Sequence, residues 1–338
     1  MKVMRERRFL VALAAVSAIV MGSAGTSSAI LGDDGYSYTQ PGAELVMPFD
    51  ATEGKSTFLL VSNINGKSPS GGAQVSTHWT FWSESCNELA DFSICLTLND
   101  TVVVDPTNAR ALNASNEEVG PLIDLTGKRG LVTVTAYTTD TACGNFASPG
   151  SRLADDAIVG TFTFADTTVG YAFGNDAFGL GLNNAGTAVV VPPSNGIASF
   201  DLEIFDPTSV DASVVVLSHL REQTAGQVIP SKDKLRFATK FYDTLEIPTS
   251  LPEQETGCVR FTQISSEGEN VGLIPENVDV TTSGIISLHP VSGFGSGDRD
   301  YLYSIVGQAV GRFGASGSAK ARPSASRAFL DTPTSLFD

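Results

Sequence analysis

The chain has 338 residues, 42% of them aliphatic, aromatic or cysteine, which is enough to bury two cores and excludes wholesale disorder. Only 17% are charged, and the formal charge of −16 excludes nucleic acid and anionic lipid as electrostatic partners. The 33 glycines and abundant Thr, Ser and Val favour strands and turns over helices.

Residues 1–29 read as a signal peptide. Lys2, Arg5, Arg7 and Arg8 form a basic head, and residues 9–21 form an apolar run too short to span a bilayer comfortably. Small residues at Ser27 and Ala29 suit cleavage after Ala29. The remaining chain would hold 17 basic and 36 acidic residues, a charge of −19, with no transmembrane segment. This places the protein in the periplasm, on the cell surface or outside the cell.

After a leader over residues 30–42, strands are expected at 44–49, 57–64, 74–82, 92–98, 101–104, 131–137, 158–164, 170–173 and 187–191. They are punctuated by turn pairs such as Asn65-Gly66, Asn99-Asp100 and Asn183-Asn184. Many short strands without interleaved helical patterns argue for an antiparallel sandwich. The linker is Pro192-Pro193-Ser194-Asn195-Gly196.

Beyond it the order restarts. FDATEGKSTFLLVSNI at 49–64 is echoed without a gap by FDPTSVDASVVVLSHL at 205–220. VSTHWTFWS at 75–83 is answered by LRFATKFYD at 235–243, GLVTVT at 130–135 by GIISLH at 284–289, and Ile158-Val159-Gly160 by Ile305-Val306-Gly307. Four matches in one order indicate an internal duplication. The expected fold is all-β: two tandem immunoglobulin-like sandwiches at 43–193 and 199–310, the first more elaborate. Residues 311–338 read as a flexible tail. Alternation puts Val75, Thr77, Trp79 and Phe81 on one core face, and Leu235, Phe237, Thr239 and Phe241 on the other.

Four cysteines in an exported chain suggest two disulfides. Strand ends and alternation favour Cys86–Cys143 with Cys95–Cys258, the second bridge joining the domains, while the local pair Cys86–Cys95 stays open. Acids at Asp50 and Glu53, and at Asp206 and Asp211 in the second copy, are candidate calcium ligands. The alternative is that Asp50 and Asp206 form Asx turns capping a strand. Trp82 and Tyr242, outward-facing aromatics at matching strand ends, are candidates for binding a sugar ring or a protein.

Catalytic signatures are sparse. His78, His219 and His289 lie within expected strands, outside any HExxH pattern, and the chain has no GxSxG. A carboxylate-pair hydrolase leaves no linear motif and stands as a third reading.

The stretches DFSICLTLNDTVVVD at 91–105 and AIVGTFTFAD at 157–166, with ELVMPF and STFLLVSN, resemble a loose group of uncharacterised secreted bacterial β-sandwich proteins. The resemblance implies export and β structure and brings no activity. The expected function is therefore a non-catalytic structural or interaction protein of the bacterial envelope or extracellular matrix, self-associating or binding other surface proteins. The alternative is a glycan-binding module, with calcium as its one candidate cofactor.

Overall fold

A computed structural model describes residues 41–64, 74–107, 110–113, 123–138, 152–153, 157–168, 170–182, 189–190, 200–204, 212–222, 227–243, 245, 247–264, 272–275, 284–292, 300–310 and 320–330. The expected signal peptide, the expected leader up to Gln40 and the expected linker at 192–196 lie outside them. Among the described residues all regular structure is strand.

In the first half these are β1 (Glu44–Asp50), β2 (Lys55–Asn63), β3 (Val75–Ser83), β4 (Glu88–Leu96), β5 (Thr101–Asp105) and β6 (Arg110–Asn113). There follow β7 (Arg129–Thr138), β8 (Ile158–Asp166), β9 (Tyr171–Asp176), β10 (Phe178–Leu182) and β11 (Val189–Val190). The second half has β12 (Phe200–Ile204), β13 (Ala212–Glu222), β14 (Val228–Pro230), β15 (Leu235–Asp243) and β16 (Pro248–Thr256). It ends with β17 (Arg260–Thr262), β18 (Gly284–Ser292), β19 (Asp300–Val310) and β20 (Lys320–Leu330). The last lies within the stretch expected to be flexible and pairs antiparallel with β19. β16 has no alternating signal in the sequence because Pro248 and Pro252 interrupt its pattern; it is an edge strand, where a missing N–H is tolerated.

All ladders are antiparallel. The first half forms the sheets β11-β10-β1-β7-β3-β4 and β6-β5-β2-β8-β9. The second forms β12-β18-β15-β16 and β14-β13-β19-β20, with β17 also on β13. The order β1-β7-β3-β4 thus recurs as β12-β18-β15-β16, and β2-β8-β9 recurs as β13-β19-β20.

Register recurs at the centre. Phe81 faces Val132 and Ser83 faces Gly130, while Phe241 faces Ile286 and Asp243 faces Gly284. These are the partners that the matches 75–83 with 235–243 and 130–135 with 284–289 require together. A Cβ on Gly130 would lie 1.8 Å from the Trp82 carbonyl oxygen, and one on Gly284 would lie 2.2 Å from that of Tyr242. Both strands therefore need glycine at the same close approach. The outer ladders agree less well. Phe49 faces Gly130, whereas Ile204, not Phe205, faces Gly284. Leu59 faces Phe162 but Val215 faces Val306, so the Ile-Val-Gly match is displaced by three residues from the ladder.

The core faces are those alternation assigns: Val75, Thr77, Trp79, Phe81, Leu235, Phe237, Thr239 and Phe241 are all buried. Trp79 stacks on Phe92 at 6.0 Å, and Phe81 meets Phe49 edge-on at 5.3 Å. The Trp79 indole N–H donates to Thr77 Oγ1 at 2.9 Å, which answers the one polar atom the ring carries into the core.

Buried apolar residues form two clusters, and β13 contributes to both. Val215 and Leu217 join Phe237, Phe241, Ile286 and Leu288 in the second core. Val216 and Leu220, on the opposite face of the strand, belong to the cluster of the first half, with Val214 packed against it. That is why ASVVVLSHLRE is apolar on both faces: a strand buried on both sides does not alternate.

Candidate functional site

Three features could carry function: the acidic turns, the histidine and aromatic surface of β3, and the contact between the halves.

At one end of the first sandwich an Asp-x-Thr sequence turns the chain four times. The backbone N–H groups of Thr52, Thr107, Thr126 and Thr168 donate to the carboxylates of Asp50, Asp105, Asp124 and Asp166, respectively, at 2.8–3.0 Å. The turns lock together: Gly127 N–H donates to the Ala51 carbonyl, Leu125 N–H to that of Pro106, and Thr167 N–H to that of Gly54. Asp50 is 3% exposed and also holds Lys55 Nζ at 3.4 Å. Its carboxylate is thus engaged by a turn and an ammonium, and Glu53 beside it is exposed. Asp206 and Asp211 lie outside the described residues. Among the described residues no three His, Cys, Asp or Glu side chains gather as metal ligands would. Nearby, burial and then the charges of Asp166 and Asp50 push the Tyr171 phenol up to about 12. The hydrogen bonds from Thr126 hold the Asp124 carboxyl below its ordinary value.

On the outer face of β3 and β4, His78 Nδ1 lies 3.2 Å from Ser93 Oγ, and His78 Nε2 lies 3.9 Å from Asp91 Oδ2. Sequence reading missed this grouping, because strand pairing rather than spacing brings Ser93 opposite His78. The second distance exceeds hydrogen-bond reach and Asp91 is exposed, so the carboxylate does not orient the imidazole as a catalytic triad requires. Trp82, farther along this face, is half-buried, and its indole N–H donates to Thr133 Oγ1 at 3.1 Å. Tyr242 is half-buried at the matching end of β15, between Pro248 and Ile285.

The halves meet on the outer face of the β1-β7-β3 sheet. Leu131, Thr133 and Thr135 lie there, opposite in direction to the core residues Val132 and Val134, and all are buried. The same buried cluster takes in Val216, Leu220, Val228, Cys258 and Val259 from the second half. The Arg129 guanidinium stands 5.0 Å from the Phe261 ring centroid and pairs with Glu84 at 2.9 Å. Glu44, fully buried, pairs with Arg152 and accepts the Val228 N–H at 3.2 Å. Burial raises the pKa of the neighbouring Tyr137 phenol.

The contact is stapled by a disulfide between Cys86 and Cys258, with Cα atoms 5.3 Å apart. This corrects the expected pairings Cys86–Cys143 and Cys95–Cys258 and the open alternative Cys86–Cys95. A bridge between the halves exists, but from Cys86. The turn after β3 carries Cys86, at a positive φ of 56°, over the second half, and the Ser218 hydroxyl holds the Cys258 carbonyl beneath it. Cys95, half-buried on the outer face of β4, is also disulfide-bonded. Cys143 lies outside the described residues.

No protein-family model matches the chain, and no curated protein matches it. No helix among the described residues is long and apolar enough to cross a membrane.

Proposed function

We propose that this is an exported, non-catalytic structural or interaction protein of the bacterial envelope or extracellular matrix, able to self-associate. The observation that carries the reading is the way the halves are joined. One strand, β13, serves both cores, and Cys86–Cys258 closes the contact covalently. Such a joint suits load-bearing or display and leaves little room for hinge motion between halves.

Duplication of one immunoglobulin-like sandwich is part of this proposal. It is supported by the recurring strand order, the shared central register and the paired glycines at 130 and 284. The one-residue and three-residue shifts in the outer ladders are then drift between copies.

Cell fractionation with immunogold imaging tests the reading. The protein should travel with envelope or matrix fractions and resist release by mild washing. Recovery as a freely soluble species in every fraction would refute it.

A further inference from the structure

Each face that joins the halves has a counterpart turned away from the joint. On the docking side, Val214, Val216, Ser218 and Leu220 of β13 correspond in the 49–64 and 205–220 match to Phe58, Leu60, Ser62 and Ile64. Leu59 and Val61 point into the first core, so the latter set lies on the other side of β2, where Phe58 is buried and Leu60, Ser62 and Ile64 form the open part. Leu60 and Ser62 are half-buried there and Ile64 is 41% exposed. Beside them Val103 faces Leu60, as Phe261 faces Val216.

On the receiving side, Trp82 and Leu131 correspond to Tyr242 and Ile285, which face each other across β15 and β18. Leu131 is covered by the second half, whereas Ile285 is 39% exposed, and the adjoining turn presents Leu245 at 76% and Ile247 at 56%. That turn is braced by two backbone N–H groups donating to Asp243 Oδ1. The large apolar residues left exposed among the described residues are these three, Ile64, and Leu98 in the turn bonded to Asn63. They mark the two faces.

We propose that a second copy of this chain seats its Leu60–Ile64 face on the Tyr242–Ile285 face, repeating between molecules the contact that joins the halves within one. The two faces differ and lie beyond opposite cores, so the contact is heterologous and adds copies head to tail. Lys240, exposed on the receiving face where the first half has buried Thr80, and Asp176 on the docking face bring opposite charges to it. The receiving turn has no counterpart of Cys86, so the assembly is non-covalent and depends on concentration. The inference rests on the self-association in the proposed function and names its surface.

The test is sedimentation velocity of the full chain, produced by export, as wild type, Ile285→Asp and Ile64→Asp. Wild type should form a concentration-dependent series of oligomers, and each variant should associate at least about tenfold more weakly. An equimolar mixture of the two variants should give a dimer and nothing larger, since one intact face of each kind remains. If either substitution shifts the unfolding midpoint, Leu245→Asp and Leu98→Asp replace it. Wild-type assembly unaffected by the substitutions, or no dimer in the mixture, overturns the proposed surface. A strictly monomeric wild type overturns it together with the self-association on which it rests, and retention of that monomer in the envelope would leave only the envelope or matrix placement standing.

Discussion

Replacing Gly130 by alanine tests the close approach between β7 and β3 that both halves share. The new Cβ would stand 1.8 Å from the Trp82 carbonyl oxygen and 2.9 Å from its carbon. Backbone cannot rotate away as a side chain can, so the strands must part by roughly 1.5 Å to restore ordinary contact. That separation breaks about two ladder hydrogen bonds, each worth about 1 kcal/mol net. Overpacking adds a further cost of about 1–3 kcal/mol. The expected loss is therefore about 3–5 kcal/mol. Gly127→Ala is the control: its φ is +78° but a Cβ would meet nothing within 4 Å, so only backbone strain of about 1–2 kcal/mol remains. Urea unfolding followed by tryptophan fluorescence is the assay, since both tryptophans, Trp79 and Trp82, lie on β3. Gly284→Ala should also lower that midpoint, although it perturbs the other half, because β13 couples the cores. A Gly130→Ala midpoint equal to that of wild type would refute the close approach. A Gly284→Ala effect invisible to the tryptophans would refute the coupling.

Further outcomes follow from the joint and the buried charges. Cys86→Ser with Cys258→Ser opens a loop between positions 172 residues apart, and the loop-entropy relation puts the loss at about 5 kcal/mol. Peptide mapping of the oxidised protein should recover Cys86 and Cys258 in one linked fragment. Glu44→Ala removes the buried carboxylate that Arg152 and the Val228 N–H share, which should cost about 3–5 kcal/mol in chemical denaturation. Tyr171 should make the protein alkali-sensitive. Its folded pKa is raised to about 12 from the ordinary 10.0, so the unfolded chain loses this proton first as pH rises. The stabilisation is complete below pH about 10 and disappears as pH climbs through about 12, on the order of 2 kcal/mol, and Tyr171→Phe should flatten that decline.

Much of the strand inventory was legible because alternation is a local property. LRFATKFYD at 235–243 carries its own face assignment, and the observed strand has those bounds. β16, β17 and β14 were missed because edge strands and short partners need only backbone pairing, which leaves little pattern in the side chains. The candidate sites were less legible. Asp50 could be named from sequence, but its engagement by Thr52 and Lys55 depends on how one turn closes. The His78–Ser93 contact depends on register across β3 and β4 and has no linear signal.

By itself, then, the sequence determined an all-β chain with apolar faces in the right places and a repeated order of strands, since side-chain period and turn chemistry act over a few residues. Tertiary structure alone decided which cysteines meet and what lies on the second face of β13. The Cys86–Cys258 bridge joins positions whose separation along the chain says nothing about their distance in space. Likewise, the unbroken run Val214–Leu217 announces burial on both faces, but only packing reveals that the two faces belong to different cores.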